Sequence, residues 1–252
     1  MLFKQWDEWA EPRHHVDSLA AIPPNHRNAD SLQEAPLPLV KVPDTLQDIT
    51  IYEQIIVATR VLMPLFPKEI LNFTSLGNIE VKLNVSEATA HLVKTPIYKC
   101  NERTLIIIVD ENVMQVCPIF LNVISKTICT MFGNQLKFLI FGTSDRISKI
   151  KTINHLNCTL IPPEFITGFI GSIISDLSLT ANSKFNGFLV PSEGPLGFEK
   201  LTLETMEFLI KEGGRIVKTI DSNLNLELYE KECYRNWRLT GTTIGTQSGL
   251  YI

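Results

Sequence analysis

No apolar run in this 252-residue sequence is long enough to cross a bilayer. Thr104 to Val109 and Phe165 to Ile174 are both interrupted well short of the ~20 residues a spanning helix needs. A basic cluster is missing too. The 23 Lys and Arg residues are scattered in short pairs and are outnumbered by 27 Asp and Glu, for a formal net charge of -4. That lacks the electrostatic footprint of a nucleic-acid binder, so no nucleic acid and no membrane are expected as partners. Cysteine is sparse: Cys100, Cys117, Cys129, Cys158 and Cys233 are widely spaced, odd in number and contain no CxxC pair. Such a set reads as free thiols in a reducing compartment, four of them among apolar or aromatic neighbours as small hydrophobes. Residues 1–12 include acidic side chains and no continuous apolar core, so no secretory leader is expected. The expectation is a soluble, cytoplasmic protein, with the nucleus as a second compartment.

Catalytic signatures are equally scarce. Gly142-Thr143-Ser144-Asp145 and Pro191-Ser192-Glu193-Gly194-Pro195 follow predicted strands, where ligands bind in open α/β sheets. A sharp reading makes Ser144 or Ser192 a nucleophile, or Asp145 and Glu193 a carboxylate pair. Neither serine stands in a GxSxG context, and of the five histidines only His91 and His155 lie beyond the N-terminal stretch. Gly, Ser, Asp and Pro are what turns and helix caps require, which is the plainer reading. There is no GxxxxGK[ST] phosphate loop, and Gly168 and Gly171 fall inside a predicted helix, where they suit close packing. The adjacent His14 and His15 cannot present two metal ligands from one face. No catalytic residue, metal or cofactor is expected.

What the chain has is apolar content, 44% of residues, enough for one large core. Residues 1–48 read as an irregular arm, rich in Pro, His, Asp and Asn, with neither strand nor helix periodicity. Phe3, Trp6 and Trp9 in that arm need burial, on the body or on a partner. Residues 49–239 alternate strands with helices. Ile55 to Thr59 is β-rich, and Ile79 to Val85 alternates as a half-exposed strand. Thr104 to Val109 and Leu136 to Phe141 are continuous apolar runs expected of central strands, with Phe185 to Val190 a weaker third. Helical stretches are predicted over Val113 to Phe132, Glu164 to Leu179, Thr202 to Glu212 and Leu226 to Arg238. Thr202 is the expected cap of the third, and Gly213-Gly214 its expected stop. The pattern predicts a layered α/β/α domain with a mixed or largely parallel central sheet.

Two helices look apolar on nearly every side, Met114 to Met131 and Phe165 to Leu177. A helix of that kind must be covered all round, as a central helix or at a subunit interface. Phe120, Ile124, Phe165 and Phe169 are the candidate interface residues. Residues 240–252 read as a flexible tail of small, nearly uncharged residues that ends abruptly in Leu250-Tyr251-Ile252. Two large apolar groups, a phenol and a free carboxylate are the parts of a peptide ligand.

A hydrophobic residue, then Tyr, then any residue at a free C-terminus is the motif by which proteasome activators and assembly factors dock between α subunits. The sequence resembles the yeast-type proteasome assembly chaperone subunit 1 family nearly end to end. The resemblance is carried by Met1-Leu2-Phe3-Lys4-Gln5-Trp6, Met63-Pro64-Leu65-Phe66-Pro67-Lys68, Gly142 to Asp145, Pro162 to Ser172, Pro191 to Pro195 and Gln247 to Ile252. Glu87 to Tyr98 departs from the family pattern, and nothing is implied there. The resemblance implies an α/β domain without catalytic activity that pairs with proteasome assembly chaperone subunit 2 as a heterodimer. It further implies a seat on the outer face of the α ring, with Leu250, Tyr251 and Ile252 in the pocket between the fifth and sixth α subunits. Phe3, Trp6 and Trp9 are candidates for a second ring anchor. Two other readings differ in class: a hydrolase-like or nucleotide-binding enzyme on a similar scaffold, and a scaffold protein whose C-terminus is captured in a PDZ-type groove.

Overall fold

A computed structural model of the chain describes residues 38–46, 49–84, 90–112, 118–156, 160–194 and 197–241. Its spine is four parallel strands: β2 (Gln54–Thr59), β5 (Thr104–Val109), β6 (Lys137–Ser144) and β8 (Lys184–Pro191). They lie in the order β5-β2-β6-β8, with Ile56 of β2 opposite both Ile106 and Leu139. Antiparallel strands extend both ends: β4 (Ala90–Asn101), β3 (Thr74–Asn84) and β1 (Leu39–Lys41) beyond β5, and β7 (Lys151–Asn154) beyond β8. The eight-stranded sheet is therefore mixed, with a parallel centre.

The apolar runs explain that centre. All six residues of β5 are buried, as are five of the six in β2. Strands sealed on both faces have no polar face to alternate with, hence Val and Ile at consecutive positions. Odd-numbered Ile55, Val57, Leu105 and Ile107 pack under α2 (Ile119–Phe132) and α3 (Gly168–Leu179), while even-numbered Ile56, Ala58, Ile106 and Ile108 face α4 (Leu203–Ile220) and α5 (Leu226–Thr240). This is the expected α/β/α layering. A short helix, α1 (Lys68–Leu71), and the 3-10 segment Arg60–Leu65 complete the second layer.

Several expectations need correction. Gly213-Gly214 does not stop its helix: α4 continues to Ile220. Both glycines lie under the Tyr229 ring of α5, where a Cβ would stand 2.8 Å from Tyr229 Oη and 3.2 Å from its Cε1. They are there for close helix contact. The N-cap does hold, with Thr205 N–H donating to Thr202 Oγ1 at 3.2 Å. Helices α2 and α3 are not covered all round. Ile119, Asn122, Lys126 and Thr130 form an exposed stripe on α2, and Ser175, Ser178 and Leu179 are exposed on α3. Scattered polar residues suffice for an outer face, and the Ser125 hydroxyl joins the two helices by donating to Asp176 at 2.5 Å. Phe120, Ile124 and Phe169 are fully buried in the chain's own core and have no surface to offer a partner; of the four proposed interface residues, only Phe165 is exposed, at 46%. Strand β1 lies within the stretch expected to be irregular, and β4 and β7 were not expected at all.

Gly187 of β8 pairs with Ile140, and a Cβ there would stand 1.8 Å from the Ile140 carbonyl oxygen. Backbone in a central strand cannot yield as a side-chain tip can. Gly187→Ala is therefore expected to cost about 3 kcal/mol or more in urea unfolding, the upper end of overpacking effects. An unchanged midpoint would show that β8 has room to shift.

Candidate functional site

The tripeptide Leu250-Tyr251-Ile252 lies outside the described residues, as do Phe3, Trp6 and Trp9. The structure describes the root from which the tail departs. Helix α5 starts at Asn225, whose side chain accepts from Leu228 N–H at 3.2 Å. Its inner face, Tyr229, Cys233 and Trp237, is entirely buried against the second core. Burial in apolar surroundings drives the Tyr229 hydroxyl well above its ordinary value, so it stays protonated and donates to the Leu65 carbonyl at 2.9 Å. The helix ends at Gly241, left-handed at φ 67°, whose N–H returns to the Trp237 carbonyl at 3.2 Å. The last described turn of α5 is thus fastened by a large indole four residues back.

Two grooves flank this root. One, of about 440 Å³, is bounded by Arg60, Val61, Asn112, Gly197, Phe198 and Lys200, with Thr240 and Gly241 at its rim. The other, of about 240 Å³, runs between Met63, Pro64 and Phe66 and the end of α5 at Leu239 and Thr240. Around them, Phe198 is 55% exposed and Leu239 74%.

The first groove sits at the carboxyl edge of the parallel strands, where the sequence offered nucleophile candidates. The Ser144 hydroxyl donates to the Phe165 carbonyl and accepts from Arg146 N–H, each at 3.1 Å. The Ser192 hydroxyl is buried with no hydrogen-bond partner among the described residues. Neither serine is bonded to a histidine. Asp145 pairs with its neighbour Arg146 at 3.3 Å, and Glu193 closes a backbone bridge to Lys200. These are turn and strand-end roles, as the plainer reading has it.

Two buried carboxylates at this edge escaped the sequence reading. Glu111, two residues past β5, accepts from Phe169 N–H at 2.7 Å and is 2% exposed. It caps α3 from outside, because the local cap position, Thr167, makes no side-chain bond. Burial raises Glu111 to about 7, with Glu199 and Asp110 adding repulsion and the Phe169 amide partly offsetting both. Glu199 accepts from Gly197 N–H at 2.7 Å and from the Thr143 hydroxyl at 3.3 Å, and burial raises it as well. Each carboxylate is spent on backbone or hydroxyl donors that would otherwise be buried without acceptors. The signal for Glu111 was its place two residues after a fully buried strand; Glu199 carried none.

Among the described residues no three His, Cys, Asp or Glu side chains converge as a metal site, and no helix is long and apolar enough to cross a membrane. Cys100, Cys129 and Cys233 are free thiols. Burial pushes them up to about 11, 12 and 12, leaving them unreactive. Cys117 and Cys158 lie outside the described residues.

The family of the chain is shown by two sequence comparisons. The sequence model of the POC1 chaperone family matches residues 1–94 and 84–252. Proteasome chaperone 1 of Saccharomyces cerevisiae is 36% identical over 287 aligned positions, covering 100% of both chains. Among solved structures, the archaeal proteasome activator PbaB of Pyrococcus furiosus superposes with a TM-score of 0.47 at 11% identity, over 81% of this chain and 97% of that one. A proteasome-assembly chaperone homologue from Mycobacterium tuberculosis gives 0.41 at 13%, over 76% and 96%. A Thermoplasma acidophilum protein of unknown function gives 0.46 at 12%, over 79% and 88%. The class is that of proteasome assembly chaperones, which are not enzymes. Within it, the chain belongs to the POC1 chaperone family.

Glu111 yields a pH signature. Because its folded value, about 7, lies above the ordinary 4.5, the folded state holds a proton that the unfolded chain releases in between. Its contribution is fully present below about pH 4.5 and is lost as pH rises through 7, a swing of about 3 kcal/mol. Glu111→Gln removes the titration. The stability of wild type relative to this variant, from urea midpoints, is expected to fall by that amount between pH 4.5 and 8. A constant difference would refute the assignment.

Proposed function

We propose that the chain is one half of a heterodimer with proteasome assembly chaperone subunit 2, and that the pair sits on the outer face of the proteasome α ring during core particle assembly. The C-terminal Leu250, Tyr251 and Ile252 enter the pocket between the fifth and sixth α subunits. The observation that carries this reading is a hydrophobic-Tyr-X terminus joined by a short tether to a helix end that Trp237 and Gly241 hold in place. Family membership and the strand-end roles of Ser144, Asp145, Glu111 and Glu199 support it over a catalytic alternative. The setting is the cytoplasm, and the nucleus as well.

In the pocket, Leu250 fills the apolar part, Tyr251 stacks and donates its phenol proton, and the Ile252 carboxylate meets a lysine. Burying Leu250 supplies roughly 1.5 to 3 kcal/mol before the cost of ordering the tail. That is too little alone, so the tail works with other contacts. Two tails and a body contact raise the apparent affinity by about 10² to 10⁴ through effective concentration. Phe3, Trp6 and Trp9 form a second anchor on the ring. Phe165, exposed beside Arg146 at 5.5 Å, remains the heterodimer-seam residue. An occupied pocket also excludes activators that use the same termini.

Deleting Leu250 to Ile252 is expected to weaken binding to α rings by about 10²-fold or more while the heterodimer survives gel filtration intact. Titration of the purified heterodimer against core particles measures it; undiminished binding would remove the tail from the mechanism.

A further inference from the structure

A tail seated in a pocket does not by itself fix which part of the folded body meets the partner. Several apolar side chains are exposed: Leu39 and Leu92 toward the β1 side of the sheet, Leu156 and Ile161 beyond β7, and Phe198 and Leu239 at the tail root. Only the last two border the point where the chain leaves α5. The tether between Gly241 and Leu250 is eight residues, Thr242 to Gly249, and eight residues reach at most about 26–29 Å. With the terminal three residues seated in a pocket, the root stands within that distance of the pocket mouth. Every residue spent on crossing a gap lowers the effective concentration that makes a weak tail useful. Contact at the root itself removes the gap.

The local surface is suited to such a contact. Phe198 projects beside a groove of about 440 Å³ on one side of Thr240, and Leu239 beside one of about 240 Å³ on the other. Both grooves have firm walls: Trp237 and Tyr229 are fully buried beneath α5, and Glu199, next to Phe198, is pinned through Gly197 N–H. Large exposed apolar groups on a firm, concave surface are what hot spots are made of. At the rim of the first groove Arg60 is held by an ion pair with Asp110.

We propose that the face around Gly241, centred on Phe198 and Leu239, is the body surface that packs against the protein receiving the tail, beside the tail's own pocket. The proposal deepens the function proposed above and rests on it for the identity of that protein, the α ring. The face then fixes the angle at which the chaperone stands.

The test uses the full-length chain in its heterodimer, titrated against purified core particles in four forms: wild type, Phe198→Asp with Leu239→Asp, deletion of 250–252, and all changes together. Both substituted positions are exposed, so unfolding midpoints near wild type are expected; Phe198→Ser and Leu239→Ser, tested singly, serve if the acidic pair fails to fold. Leu92→Asp, on β4, is the control. The face variant is expected to bind about tenfold or more weakly with its tail intact, the combined form weaker still, and the control unchanged. Loss on tail deletion with none in the face variant overturns the face and keeps the tail. Loss in the face variant alone keeps the face as a contact and removes the tail. Equal loss in the face variant and the Leu92→Asp control overturns the proposal by showing that no particular surface is used.

Discussion

Keeping four parallel strands dry on both faces is the requirement from which the rest of this molecule follows. Parallel neighbours need crossover connections, and α2 and α3, which lie in two of them, cover one face, while α4 and α5, which follow the last strand, cover the other. Because β5 and β2 have almost no water-facing residue, their carboxyl ends must discharge backbone polarity into an interior that water does not reach. Glu111 and Glu199 meet that need, accepting from the amides of Phe169 and Gly197. The same edge in an α/β enzyme is where substrate binds. Here these two carboxylates hold helix and loop to sheet.

The sequence displayed the centre of this plan and hid its margins. Thr104 to Val109 is legible because a run of six residues without alternation has few alternatives to a doubly covered strand. The strand β7 is not, since Lys151 to Asn154 is short and owes its existence to pairing with β8. Gly213-Gly214 misleads for a related reason. Glycine does end helices, but here Tyr229, distant in sequence, makes the absence of a side chain useful in mid-helix. The apolar look of α2 and α3 overstated their burial, because Asn122, Lys126 and Ser175 are few yet aligned. Phe120, Ile124 and Phe169 looked like interface material on composition alone; side-chain direction in three dimensions, which sequence does not encode locally, turns them inward.

The candidate site divides the same way. The C-terminal tripeptide is visible in sequence because it needs no fold to be recognised: order, chemistry and a free carboxylate suffice. The surface at its root is invisible there. Phe198 and Leu239 are 41 residues apart in the chain and come to flank Thr240 only once α5 returns beside the segment after β8. Trp237 illustrates how the two levels join, since its indole lies wholly within the core while its carbonyl receives the N–H of Gly241.

The outermost strands have a consequence for how this protein keeps company. β1 has three residues and β7 four, and the rim of β3 beyond β1 is closed by the Thr45 hydroxyl, which donates to the Leu76 carbonyl. Ladders that brief offer little template for an incoming strand, which is how natural sheets avoid zipping to one another end to end. Contact with other proteins is thereby left to side chains, which part more cleanly than the strands of a continuous shared sheet.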